Sequence, residues 1–430
     1  MRSFLWVINM VASTDLKFYV HTNNNAPQLT NNFGCILSVL DAALINGIQI
    51  GTVSSMTATG KIVTAVFGTA HNLMQYQVIK IAGANQAEYN VEARILTVPN
   101  ATTITFELAT VPSVATATGA ISCSLPPLGW EKPFSSTSAT GGKGAYRSKN
   151  LLLPSRPFLR VVDELDPVWT STYAKYAKVG LVEDMTDIDT MLGVQAPYDS
   201  AIPDKNWMGT GSGTTAINGW AKWYYSHYYT LGDTTSNHDL QAPANGVREW
   251  IIIGTTDYFY ILPSTLLVDQ TPIVNGFGHF DSLLNSDASS NFIAATVNYT
   301  AANTSYNKAQ YSSLSLAVGV STNSKLVLQR SYTQAVAYAT ADLISLCPVA
   351  GVRTGYADYI GSYGLMNIAP FVPVYINESV LRGQLCGIYW LLQKRPYPSK
   401  SFIVHSSAIY IALNCAAYGN GQIVIKVGDL

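Results

Sequence analysis

Between Val53 and Leu125 the chain is a train of short β-rich runs: KIVTAVFG, YQVIKIAG, EARILTV and TTITFEL. Gly, Asn or Pro closes each run before the next begins, at intervals of about ten residues. None is long enough to show the 3.6-residue periodicity of a helix, so each must find a strand partner. Five or six strands in about 70 residues make a small barrel or sandwich. The same pattern continues through LRVVDEL, AKVGLVE and REWIIIGTTDYFYILP to the terminal run QIVIKVGDL. One segment departs from it. Over Asn32 to Asn46, Ile36, Val39, Leu40, Ala43 and Leu44 recur at helical spacing, and Gly47 offers the stop. The expected fold class is mainly β, a multidomain β-barrel and β-sandwich protein with one short N-terminal helix.

Five divisions are expected. Residues 1–50 form an N-terminal extension whose helix docks onto a neighbouring subunit, and 51–125 the small barrel. Residues 126–150, rich in Ser, Thr and Gly, read as an exposed linker. A β domain over 151–270 and a sandwich-like domain over 271–430 complete the chain. No fixed-period repeat marks a solenoid or propeller.

Only 12% of the 430 residues are charged, against roughly 25% in ordinary soluble domains. The net charge of −1 gives no field to draw nucleic acid or an anionic membrane. The surface must therefore be polar through Ser, Thr, Asn, Gln and the 26 Tyr, a surface poorly protected against association. Cys35, Cys123, Cys347, Cys386 and Cys415 include no CxxC pair and have no His at ligand spacing, which fits buried thiols rather than zinc or a disulfide framework. The opening MRSFLWVINMVA is too short for a membrane span, and a soluble product is expected.

Several blocks carry a resemblance. The segment AHNLMQYQVIKIAGANQAEYNVEARILTV, with His71, Leu73, Val78–Ile81, Gly83 and Asn90, resembles a small β-module named for the FCCH domain of ubiquitin-activating enzymes. It implies no ubiquitin chemistry. NNFGCILSVLDAALINGIQIGTVSSM, PPLGWEKPF at 126–134, DMTDIDT at 184–190 and the turn and β-run from Gly419 to Val427 follow in order. Together they resemble a family of structural proteins of tailed-bacteriophage virions. The resemblance implies a packing role in the particle, without naming its position.

Chemistry-bearing residues are few. Glu183, Asp184, Asp187 and Asp189 place four carboxylates in seven residues, a weak Ca²⁺ candidate without the Gly and distal Glu of an EF-hand loop. Asp163, Glu164 and Asp166, or Asp184 and Asp187, are nominees for paired glycosidase carboxyls, although no spacing sets them across a cleft. Trp220, Trp223, Tyr224, Tyr225, His227, Tyr228 and Tyr229 form the densest aromatic run, suited to core packing, a subunit interface or a glycan. His279 and His405 sit among strand residues as core or surface groups. Lys143, Arg147 and Lys149 read as a solvated loop. No GxSxG, Walker or GxGxxG motif occurs, so no catalytic residue and no cofactor is assigned.

The reading these features support is a non-enzymatic structural subunit of a phage virion, in the tail, baseplate or neck. It would be assembled in the host cytoplasm against other virion proteins and copies of itself. Alternatives are a host-receptor or glycan-binding tail protein, a head decoration or fibre protein, and a polysaccharide depolymerase.

Overall fold

A computed structural model describes residues 12–210, 217–228, 241–267, 274–297, 325–335, 339–344, 371–391, 395–415 and 421–430. Tyr229, Cys347 and the Tyr418–Asn420 turn lie outside them.

The fold is mainly β. Six antiparallel strands from Ile48–Thr59 to Gly119–Leu125 close into a barrel, where the turn spacing places one. Its interior is filled by alternate residues such as Val63 and Ala65 from one strand and Ile104 and Phe106 from its neighbour. A second, seven-stranded sheet runs Thr296–Val297, Ala221–Ser226, Lys175–Met185, Phe158–Glu164, Gly141–Ser148, Trp130–Ser138, with Met191–Ala196 on a further stretch of the long Lys175–Met185 strand. A third sheet joins thirteen strands among the described residues, beginning with Lys17–Val20 against Trp250–Gly254.

Trp250–Gly254 (WIIIG) shows how the layers meet. Trp250 and Ile252 point into the core shared with the barrel, the helix and the seven-stranded sheet, while Ile251 and Ile253 point into a second core with Trp390, Ile409 and Ile425. A strand buried on both faces reads as an unbroken apolar run, and each such side chain contributes about 1.5–3 kcal/mol.

The expected helix is an α-helix over Cys35–Leu40 continued as π-helix over Asp41–Asn46. Gly47 ends it at φ 76°, where a Cβ would meet Leu125 O at 2.6 Å. Ile36, Val39, Leu40, Ala43 and Leu44 are each 0% exposed. The docking role expected of them is therefore corrected: that face is already covered by this chain's own sheets.

Two further expectations change. The stretch 126–150 is not a linker: Trp130–Ser138 and Gly141–Ser148 pair as a hairpin and join the seven-stranded sheet. The Ser135–Ser138 end of the first strand is largely exposed beyond Trp130 and Phe134, so a half-exposed strand looks like a loop in composition. Likewise, strand pairs cross the expected divisions. Lys17–Val20 pairs with Trp250–Gly254, Tyr258–Pro263 with Asn275–His279, and Ala221–Ser226 with Thr296–Val297.

Candidate functional site

The aromatic run is a structural centre. Ala221–Ser226 is an inner strand of the seven-stranded sheet, covered on both faces. Trp223 and Tyr225 enter the main core, whereas Tyr224 packs on the opposite face at 5.0 Å from Tyr176. Trp220 and His227 are buried too, and among the described members Tyr228 is exposed, at 45%. The expectation of an open glycan-binding or subunit-contacting face on this strand is corrected, because its rings are already in contact with this chain.

Tyr225 leads to a fully buried carboxyl, Asp163. Its hydroxyl donates to Asp163 Oδ1 at 2.7 Å, and the Ile36 amide donates to Oδ2 at 3.2 Å. Burial pushes Asp163 up to about 7, against these bonds, which favour the anion. Asp163 therefore joins the helix to the sheet and faces no cleft.

The acidic run does not converge. Glu183 pairs with Arg330 and accepts the Val194 amide. Asp184 accepts its neighbour Met185 N, and Asp187 closes a turn onto Asp189 N and Thr190. Asp189 takes Lys143 at 2.8 Å and Arg160 at 2.6 Å. Against the upward pull of burial, these two cations hold Asp189 below its usual value. Among the described residues no group of three or more His, Cys, Asp and Glu is placed to hold a metal.

Asp189 instead opens onto a cleft of about 460 Å³ beside the seven-stranded sheet. Lys143 and Arg160 reach it from adjacent strands, Lys178 from the next, and Glu164 and Asp166 from the end of Phe158–Glu164 and the loop beyond. The charges are arranged in pairs. Lys143 lies 3.8 Å from Glu164, and buried Lys178 lies 3.2 Å from Asp166 while donating to Trp207 O. Burial lowers both Lys178 and Arg160, with Asp166 and Asp189 respectively opposing the shift. Trp207 supplies an aromatic wall, with the Arg160 guanidinium 4.5 Å over its ring. Arg160 Nη1 and Trp207 Nε1 are buried with no protein acceptor.

Glu164 and Asp166, nominated from sequence, thus reach a common cleft, and Asp163 does not. Lys143 and Arg147 are not a solvated loop: Arg147 lies on a sheet strand, bonded to Glu131 and stacked over Phe158. Sequence reasoning missed Arg160, Lys178 and Trp207. The signal was present, since Arg160 and Lys178 interrupt the apolar runs LRVVDEL and AKVGLVE, and a cation in a buried strand demands a partner.

No family model matches the chain, and no curated protein matches it.

Proposed function

We propose that this chain is a structural subunit of a bacteriophage virion, working through subunit packing. The observation that carries the reading is that the blocks behind the resemblance meet as joints of the framework. Lys132 of PPLGWEKPF pairs with Asp41 of LDAALING, Trp130 of the same block donates to Thr255 O at 2.9 Å, and Asp189 of DMTDIDT clamps two strands through Lys143 and Arg160. A signature devoted to joints suits a protein selected for shape. Assembly surface is also at hand. Leu151 and Leu152, 77% and 92% exposed, sit on a turn braced by Asn150, which bonds Leu152 N and Asp257. Exposed leucines on a braced turn suit contact with a neighbour.

The test is immunogold labelling and mass spectrometry of purified particles from the phage that encodes the chain, with light scattering of the purified protein. The expected result is stoichiometric presence at one location and self-association weakened by Leu152→Ser. A monomeric protein missing from particles would reject the role.

A further inference from the structure

We infer that the sheet edge Phe402–His405 joins a second copy of this chain, strand to strand, about a two-fold axis. This strand ends the thirteen-stranded sheet on one side and, among the described residues, pairs only with Ala408–Cys415. The turn between them has two residues, Ser406 and Ser407, at φ 50° and 61°. Such a turn makes His405 and Ala408 a hydrogen-bonded pair. Bonded pairs then recur at every second residue, at Ile403 and at Ser401, whose carbonyl accepts the Ala412 amide at 2.9 Å. The N–H and C=O groups of Phe402 and Val404 therefore point away from the sheet, to where a further strand would lie.

Two other edges of the described sheets are defended. Along Lys17–Val20 the outward groups are already taken. Arg94 donates to Leu16 O at 3.0 Å, Gln77 Nε2 donates to Phe18 O at 3.2 Å, and Val20 N donates to Asn23 Oδ1 at 3.0 Å. Trp130–Ser138 carries Glu131, Lys132, Pro133 and a register shift between Glu131 and Phe134. Phe402–His405 has none of these devices. Its sequence FIVH holds no Asp, Glu, Lys, Arg or Pro, and its register runs unshifted. Val404 is 49% exposed, while Phe402 anchors the strand against Phe18 and Tyr76, with ring centroids 5.7 and 5.3 Å away.

The pattern is complementary to itself. Two copies running antiparallel about an axis through Ile403 set Phe402 opposite the partner's Val404. The outward groups of both residues then exchange four N–H···O bonds. Val404 is covered by the partner's Phe402, Ile403 meets the partner's Ile403, and Lys400 falls opposite the partner's Ser406, so no like charges meet. A four-residue edge is small beside the roughly 1,200–2,000 Å² of a standard interface, so the contact is weak, with half-association near roughly 100 μM. The edge is separate from the Leu151–Leu152 turn. A chain that is monomeric in solution yet present in particles would refute the edge and leave the virion role standing.

The experiment is sedimentation equilibrium of the full chain up to roughly 0.5 mM, with thermal melting, on wild type, Val404→Pro and Val404→Lys. Proline here removes an N–H that the chain's own sheet does not use, and lysine sets a charge on the edge. The expected result is reversible dimerisation, weakened tenfold or more in both variants while their melting midpoints stay close to wild type. If Val404→Pro does not fold, Val404→Lys decides, because it replaces an exposed side chain. Mild oxidation of Ile403→Cys should join two copies, since facing residues of a non-hydrogen-bonded pair lie at disulfide distance. Peptide mapping should find the bond between the two introduced thiols. Monomers at every concentration, dimerisation untouched by Val404→Lys, or introduced thiols that stay apart would overturn the assignment.

Discussion

Lys132 Nζ lies 2.6 Å from Asp41 Oδ2, across 91 residues of chain, and the buried Tyr146 hydroxyl donates to the other oxygen of the same carboxylate at 2.8 Å. The π-helical turn and the hairpin that follows the barrel are thereby fixed to each other. Asp41→Ala would leave a cation and a buried hydroxyl without an acceptor. The expected loss is about 1–3 kcal/mol in urea denaturation, moderated because both ionic side chains keep some water contact. A double-mutant cycle with Lys132→Met should return a coupling of roughly 0.5–1.5 kcal/mol. Strict additivity would show that the pair is incidental.

Asp163 gives the fold a pH dependence of unusual sign. Burial raises it to about 7 from an ordinary 3.8, so the folded chain holds this proton more tightly than the unfolded one. Its contribution is full below the unfolded value and is lost as pH rises through about 7, in total on the order of 4 kcal/mol. Asp163→Asn should flatten the fall in stability between pH 4 and 7 measured by chemical denaturation. An unchanged slope would mean that another group sets it.

Trp223→Ala separates a core role from a surface one. The Trp223 indole is fully buried, 6.1 Å edge-on to Phe259, and donates to Ala294 O at 2.9 Å. Removing it should cost about 3–5 kcal/mol. Thermal melting should register this as a large drop in midpoint. A soluble variant with wild-type stability would contradict the burial of this strand.

How much of this was legible follows from what each residue's neighbours are. The barrel could be read because three of its six strand pairs join sequence neighbours and local residues spell their turns, as at Gly60 between Ile48–Thr59 and Ile62–Phe67. The apolar stripe Ile36, Val39, Leu40, Ala43 and Leu44 revealed a helix, but a stripe does not say whose surface covers it. WAKWYYSHYY carried the same ambiguity. A strand buried on both faces and one offering a face to a partner have the same composition, and only the clusters packed on the two faces of Ala221–Ser226 decide. The cleft was hidden for a related reason. Arg160, Asp189 and Trp207 meet through a bulge near Val182 and a loop packed back on the sheet, which no local spacing encodes.

Arg94 offers the sharpest test of how the two ends of the chain are held. It is 3% exposed and sits on the barrel strand Glu92–Asn100. Nη1 donates to Tyr76 O at 2.8 Å and Val427 O at 3.0 Å, while Nη2 donates to Ser13 O at 2.5 Å and Leu16 O at 3.0 Å. One guanidinium thus ties the barrel to the chain's start and to its last strand, Gly421–Asp429. Burial lowers it to about 10, so it remains charged at neutral pH. Arg94→Leu would strand four carbonyls, at a cost of roughly 3–5 kcal/mol. Arg94→Lys keeps the charge but not the fork, and should recover less than half of that loss. Hydrogen exchange within 421–429 should quicken in both variants, more in Arg94→Leu. Val427 lies 333 residues away in sequence, so acceleration at 421–429 beyond that of strands remote from Arg94 reports loss of the tie. Exchange that quickens in the barrel and leaves 421–429 untouched would show that the last strand is held by its sheet neighbours alone.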